Sequence, residues 1–88
     1  MFTTYVLYSK EFDKIYIGQT SDLDKRIDQH NLGKHRYTKR YIPWNVLYTE
    51  EFNTRSEAMK REKELKSHQG RNFIREELLN GGVRQLPD

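Results

Sequence analysis

Five side chains, distant from one another in the chain, supply the groups that phosphodiester hydrolysis needs: Tyr5, Tyr16, Arg26, His30 and Glu62. A carboxylate such as Glu62 can hold one hard divalent cation, Mg²⁺ or Mn²⁺, with waters and phosphate oxygens completing the octahedron. An arginine such as Arg26 can neutralise charge growing on the phosphoryl oxygens. A phenol or imidazole can take a proton from the attacking water, and Tyr5, Tyr16 and His30 are all candidates. A lone carboxylate argues for a single ion rather than a symmetric pair. Each residue also has a structural alternative. Either tyrosine can be a core residue with a bonded hydroxyl. Arg26 can form a surface bridge to Asp22 or Asp28, His30 can sit at the core edge, and Glu62 can pair with Arg26.

The elements that must position these groups follow from periodicity. Thr3 to Ser9 is β-branched and aromatic and predicts a strand, with Tyr5 and Leu7 on one face and Val6 and Tyr8 on the other. A short polar turn leads to a second strand, Lys14 to Gln19, which turns Ile15 and Ile17 one way and Tyr16 and Gly18 the other. Gly18 at a strand end suggests close approach of a backbone or ligand. Thr20, Ser21 and Asp22 are possible caps for a helix starting near Leu23, and Gly33 should end it. Leu23, Ile27 and His30 form its inward stripe, with Arg26 on the flank. A basic loop, Lys34 to Pro43, with one helical turn, precedes a third strand, Trp44 to Phe52.

Thr54 with Glu57 is a capping box for a second helix, about Arg55 to Ser67. Its apolar residues are few, Ala58, Met59 and Leu65, and Glu62 falls in the centre of that face. A carboxylate facing a core is costly unless a cation or metal pairs with it. Gly70 should end this helix, and a third, Arg71 to Asn80, should bury Phe73, Ile74 and Leu78. Gly81 and Gly82 then stop the chain's last helix. The expected architecture is α+β, a three-stranded antiparallel sheet flanked by three or more helices in the order β-β-α-β-α-α. The domain spans residues 1–80, with a C-terminal tail at 81–88.

The chain has 88 residues, enough for one domain, and no cysteine, so it holds neither a disulfide nor a zinc–thiolate site. No apolar run approaches the roughly 20 residues that span a bilayer, and a signal peptide is not expected; a cytoplasmic setting is. The net charge of +3 is mild, but its distribution is not. From Gln29 to Thr49 there is no acid, while Lys34, Arg36, Lys39 and Arg40 interleave with Tyr37, Tyr41 and Trp44. That composition suits a phosphate-backbone contact surface, with those four cations and Gly18 as substrate-binding candidates. Backbone N–H groups of Gln19 and Thr20 could assist. His35 and His68 read as ordinary exposed residues.

Taken together, these residues resemble a GIY-YIG nuclease domain, in particular small standalone members similar to the amino-terminal domain of the bacterial excision-repair endonuclease. Tyr16-Ile17-Gly18 is the second triplet intact; the first is degenerate, Thr3-Thr4-Tyr5 keeping only its tyrosine. Arg26, His30 and Glu62 stand where the family's arginine, histidine and metal-binding glutamate stand. The match covers about residues 3 to 80. The resemblance implies a Mg²⁺-dependent nick in a nucleic acid and a connection with DNA repair. DNA is the expected substrate; RNA, and a partner protein that supplies specificity, are compatible with the resemblance. The competing readings are a nucleic-acid-binding module without turnover and a subunit of a larger DNA-processing complex.

Overall fold

A computed structural model describes residues 1–79; the expected helix end at Asn80, the Gly81-Gly82 stop and the tail at 81–88 lie outside the described residues. The chain is built as β1 (Phe2–Ser9), β2 (Lys14–Thr20), α1 (Leu23–Asn31), a short 3-10 helix (Thr38–Tyr41), β3 (Asn45–Phe52), α2 (Arg55–Lys66), α3 (His68–Phe73) and a π-helical turn (Ile74–Leu79). The three strands form one antiparallel sheet in the order β2-β1-β3.

The central strand explains the rest. β1 is buried along almost its whole length, so its run of apolar and small residues serves both faces of the sheet. On one face Val6 and Ile17 pack against Leu65 of α2 and Ile74 of the π turn, with Phe73 and Leu78 alongside. On the other, Tyr5, Leu7 and Trp44 pack with Tyr16, Leu23, Ile27, Tyr41 and Ile42. The sheet is thus a middle layer, with α1 and the 3-10 segment on one side and α2 and α3 on the other. Register slips once, between Val6 and Leu7, where Val6 pairs with Tyr48 and Leu7 with Val46. Leu47 is the extra residue, a bulge that period-two counting cannot foresee.

Caps sit where local chemistry puts them. Of the three possible N-caps of α1, Asp22 is the one used, its carboxylate accepting from the Lys25 N–H at 3.2 Å. Thr20 closes a turn onto Asp22 instead. Gly33 follows α1 with φ +79°, the left-handed conformation that suits glycine. Thr54 and Glu57 form both halves of the capping box that starts α2.

Two expectations change. Gly70 does not end α2. The helix stops at Lys66, and Ser67 caps α3 by accepting from the Gly70 N–H at 3.2 Å. Gly70 lies inside α3, where the two helices nearly touch: a Cβ there would meet the Glu64 carbonyl at 2.3 Å and Leu65 Cα at 2.5 Å. The third helix therefore begins at His68 rather than Arg71. Met59, although apolar, points outward and is 53 % exposed, which leaves Ala58 and Leu65 as the buried residues of α2. Gly70→Ala should accordingly destabilise the fold by about 1–3 kcal/mol or more. Urea unfolding measures this, and an unchanged midpoint would contradict the close helix contact.

Candidate active site

Tyr5 is the hub. It pairs across the sheet with Gly18, and its ring lies over that glycine. A Cβ on Gly18 would stand 2.6 Å from the Tyr5 hydroxyl and 2.8 Å from Cζ. The close approach that a strand-end glycine suggests is made by this phenol. Gly18 is itself buried under the ring.

From Tyr5 a buried chain of hydrogen bonds runs outward. The Tyr5 hydroxyl is 3.0 Å from His30 Nε2, and His30 Nδ1 is 2.8 Å from Thr38 Oγ1. The Thr38 carbonyl accepts from Trp44 Nε1 at 2.8 Å. Trp44 is held in turn by Asn31, whose side chain accepts from the Trp44 N–H at 2.7 Å and donates to its carbonyl at 3.0 Å. Tyr5, His30, Thr38 and Trp44 are all buried. The inward stripe of α1 thus delivers His30 to the sheet, and the acid-free loop returns to fasten it.

Burial governs the protonation of this chain. It pushes His30 down to about 4, with His35 and Arg26 adding positive neighbours that act the same way. The imidazole is therefore neutral at pH 7. Burial also pushes the Tyr5 phenol well above its ordinary range; Tyr16 and Glu62 add to the rise and Arg26 opposes it. Tyr16 completes the group, its ring centroid 4.8 Å from His30 and 6.3 Å from Tyr5. It is only partly buried, and so is Arg26.

Glu62 lies on the sheet-facing side of α2 between Ala58 and Leu65, yet keeps 21 % of its side-chain surface exposed. Its Oε2 carries the Lys66 ammonium at 2.7 Å. Arg26 makes no ion pair among the described residues, so neither structural alternative for it is realised. The position of α2 is fixed from two sides. The Thr4 hydroxyl donates to the Ala58 carbonyl at 2.8 Å, and Arg55 donates to the Gln19 side chain at 2.9 Å.

The donor set suits one kind of metal ion. Among the described residues no three His, Cys, Asp or Glu side chains gather around one point. A single carboxylate fits Mg²⁺, which keeps several waters and accepts substrate phosphate oxygens. The Glu62 carboxylate is paired with the Lys66 ammonium.

The remaining candidates are less concentrated. Lys34, Arg36, Lys39 and Arg40 are all exposed on the segment that follows α1. Arg26 also lines a polar cavity of about 320 Å³ with Thr20, Asp22, Lys25 and Gln29, which Tyr5, Tyr16 and Glu62 do not line. Sequence reading missed His35. It is partly buried, with its ring 4.4 Å from that of His30 and its Nε2 buried without a partner. Its spacing from His30 carries no helical signal, because Gly33 intervenes.

The three-stranded sheet flanked by helices, with Tyr5, Tyr16 and His30 grouped on one face, suits a nuclease-type domain. Residues 1–75 match the GIY-YIG catalytic domain, and the chain belongs to that family. It is 42 % identical over 64 residues to the UPF0213 protein SSP2268 of Staphylococcus saprophyticus, covering 72 % of this chain and 77 % of the relative. It is 39 % identical over 57 residues to the UPF0213 protein HQ_3675A of Haloquadratum walsbyi, covering 64 % of each. Among solved structures, the solution structure of the UPF0213 protein BH0048 from Bacillus halodurans matches with a TM-score of 0.50 and 33 % identity, over 84 % of this chain and 82 % of that one. Among the described residues no helix is long and apolar enough to cross a membrane.

The depressed His30 makes stability pH-dependent with a definite sign. The unfolded imidazole takes up its proton near 6.5 and the folded one only near 4, so stability is full above about pH 6.5 and falls as pH drops toward 4. His30→Gln should remove that part of the slope. Urea midpoints of both proteins between pH 7 and 4.5 test this, parallel curves being the contrary result.

Proposed function

We propose that the protein is an endonuclease that nicks DNA by hydrolysing one phosphodiester bond with the help of a single divalent cation. The observation that supports this reading is that β1, β2 and α1 bring Tyr5, Tyr16 and His30 together, ring centroids 4.8 to 6.3 Å apart, in a chain of the GIY-YIG family. Glu62 would hold Mg²⁺ or Mn²⁺. When bound, such an ion supplies positive charge to the scissile phosphate and the leaving oxygen.

The side chains divide the work by exposure. Tyr5 is 1 % exposed and its phenol resists ionisation, which supports a positioning role rather than that of base. The neutral His30 is hydrogen-bonded at Nε2 to the Tyr5 hydroxyl and at Nδ1 to the Thr38 hydroxyl, which fixes the direction of both rings. Its burial supports positioning as well. Tyr16, partly exposed, is the phenol that water can reach. Its oxygen orients the attacking water and takes the water's proton as its own proton passes to solvent. The water oxygen bonds to phosphorus on one side while the bond to the leaving oxygen breaks on the other, and solvent returns a proton to that oxygen. Arg26 stabilises the negative charge that accumulates on the non-bridging oxygens. Lys34, Arg36, Lys39 and Arg40 grip the phosphates on either side of the cut.

A nicking assay on supercoiled and branched DNA with Mg²⁺ or Mn²⁺ tests the proposal. Arg26→Ala and Glu62→Gln should each lower the rate by about 100-fold or more, and Tyr16→Phe should cost more than Tyr5→Phe. Background cutting that is equal in the wild type and in the Arg26 and Glu62 variants would overturn it. The metal assignment has its own measurement. Lys66→Met frees the carboxylate of its ammonium and should tighten Mn²⁺ binding measured by calorimetry, whereas Glu62→Gln should abolish it.

A further inference from the structure

One group of side chains beside the site has no place in the chemistry just described. Tyr16 stacks with Tyr37, ring centroids 6.3 Å apart and planes 28° apart. Tyr37 meets Tyr41 at 5.3 Å, and Tyr41 meets Phe12 edge-on at 5.5 Å. The four rings come from β2, from the segment at the 3-10 helix, and from the turn joining β1 to β2. They form one continuous aromatic wall from Tyr16 to the hairpin tip.

The wall is open to water. Tyr37 is 48 % exposed and Phe12 46 %, and every other Phe, Tyr and Trp ring among the described residues is buried or partly buried. The two rings that forgo burial lie on the same wall, next to the same tyrosine. A large apolar ring left half in water gives up a good part of the roughly 1.5–3 kcal/mol that full burial would contribute. Packing alone therefore does not account for the arrangement.

Along Tyr37 and Tyr41 the rim is cationic; Phe12 sits between Glu11 and Asp13, and Asp13 is paired with Arg75 at 2.6 Å. The Lys14 ammonium sits 5.4 Å from the centre of the Tyr41 ring. Arg36, Lys39 and Arg40, the chain neighbours of Tyr37 and Tyr41, are exposed and join no ion pair among the described residues. The surrounding stretch from Gln29 to Thr49 contains no acid at all. An apolar protein partner would leave those charges unanswered. A strand that carries a phosphate for every base answers them, because aromatic rings take bases of any sequence on their faces while cations track the backbone. In a duplex those base faces are covered by neighbouring base pairs.

We propose that Phe12, Tyr41 and Tyr37 are a stacking platform for unpaired bases, leading a single-stranded stretch of nucleic acid towards Tyr16. This deepens the nuclease reading and rests on it for the direction of approach, but its test needs no turnover. Binding of a fluorescent 15-nucleotide thymidine oligomer and of a 15-base-pair duplex is measured by anisotropy in EDTA at several salt concentrations. The wild type should prefer the single strand. Tyr37→Ala and Phe12→Ala should each weaken single-strand binding by between about 5-fold and 150-fold. Their salt dependence should stay unchanged, whereas Arg36→Ala should lower the logarithmic salt slope by about 0.7. Tyr37→Phe should bind as the wild type does. Both positions are half exposed, so the variants should fold, and their circular dichroism melts check it. Tighter binding of the duplex by the wild type, or undiminished single-strand binding by both alanine variants, would overturn the proposal. A protein that stacks single strands but cuts nothing would sink the nuclease reading alone; one that cuts yet ignores both alanine substitutions would sink the platform alone.

Discussion

The contact on which the site depends is the bond between the Tyr5 hydroxyl and His30 Nε2, 3.0 Å long and closed to solvent. A buried polar group without a partner costs about 1–3 kcal/mol, so each member of this chain requires the next. Tyr5 needs the imidazole, the imidazole needs Thr38, and the loop that carries Thr38 is held by Trp44 and Asn31. Strand, helix and loop are therefore fixed relative to one another by polar demands rather than by apolar area alone. The same closure removes charge from the imidazole, because desolvation penalises the protonated form.

The second layer of the molecule brings in the acid. α2 has little apolar surface, and its position does not rest on packing by itself. The capping box sets where it starts, Arg55 ties that start to Gln19 at the end of β2, and Thr4 holds the Ala58 carbonyl one turn before Glu62. Thr4 stands in the degenerate first triplet, Thr3-Thr4-Tyr5. Here the hydroxyl gains a buried partner, and β1 gains a direct tie to the helix that carries the carboxylate.

Much of this was legible in the sequence because it is local. Alternation gave the faces of β1 and β2, Thr54 with Glu57 marked the start of α2, and Gly33 marked the close of α1. Glu62 stood out because a carboxylate does not belong between Ala58 and Leu65. What stayed hidden depends on the meeting of distant segments. Gly70 reads as a helix stop, yet its role is to let α3 lie against the backbone of α2. His35 reads as a surface residue until the loop folds it onto His30. The bulge at Leu47 and the adjacency of Phe12 to Tyr41 have no signature in spacing, since both arise only when the third strand and the hairpin are in place.

The hydroxyl of Tyr5 has one further consequence. Phenolic hydrogens ordinarily trade places with bulk water too quickly to be seen. Here the hydroxyl is buried and 3.0 Å from an uncharged imidazole, so its hydrogen exchanges only through a local opening of the structure. It should persist as a separate line in the proton spectrum, and its lifetime would time the breathing of the pocket from within, with no substrate added.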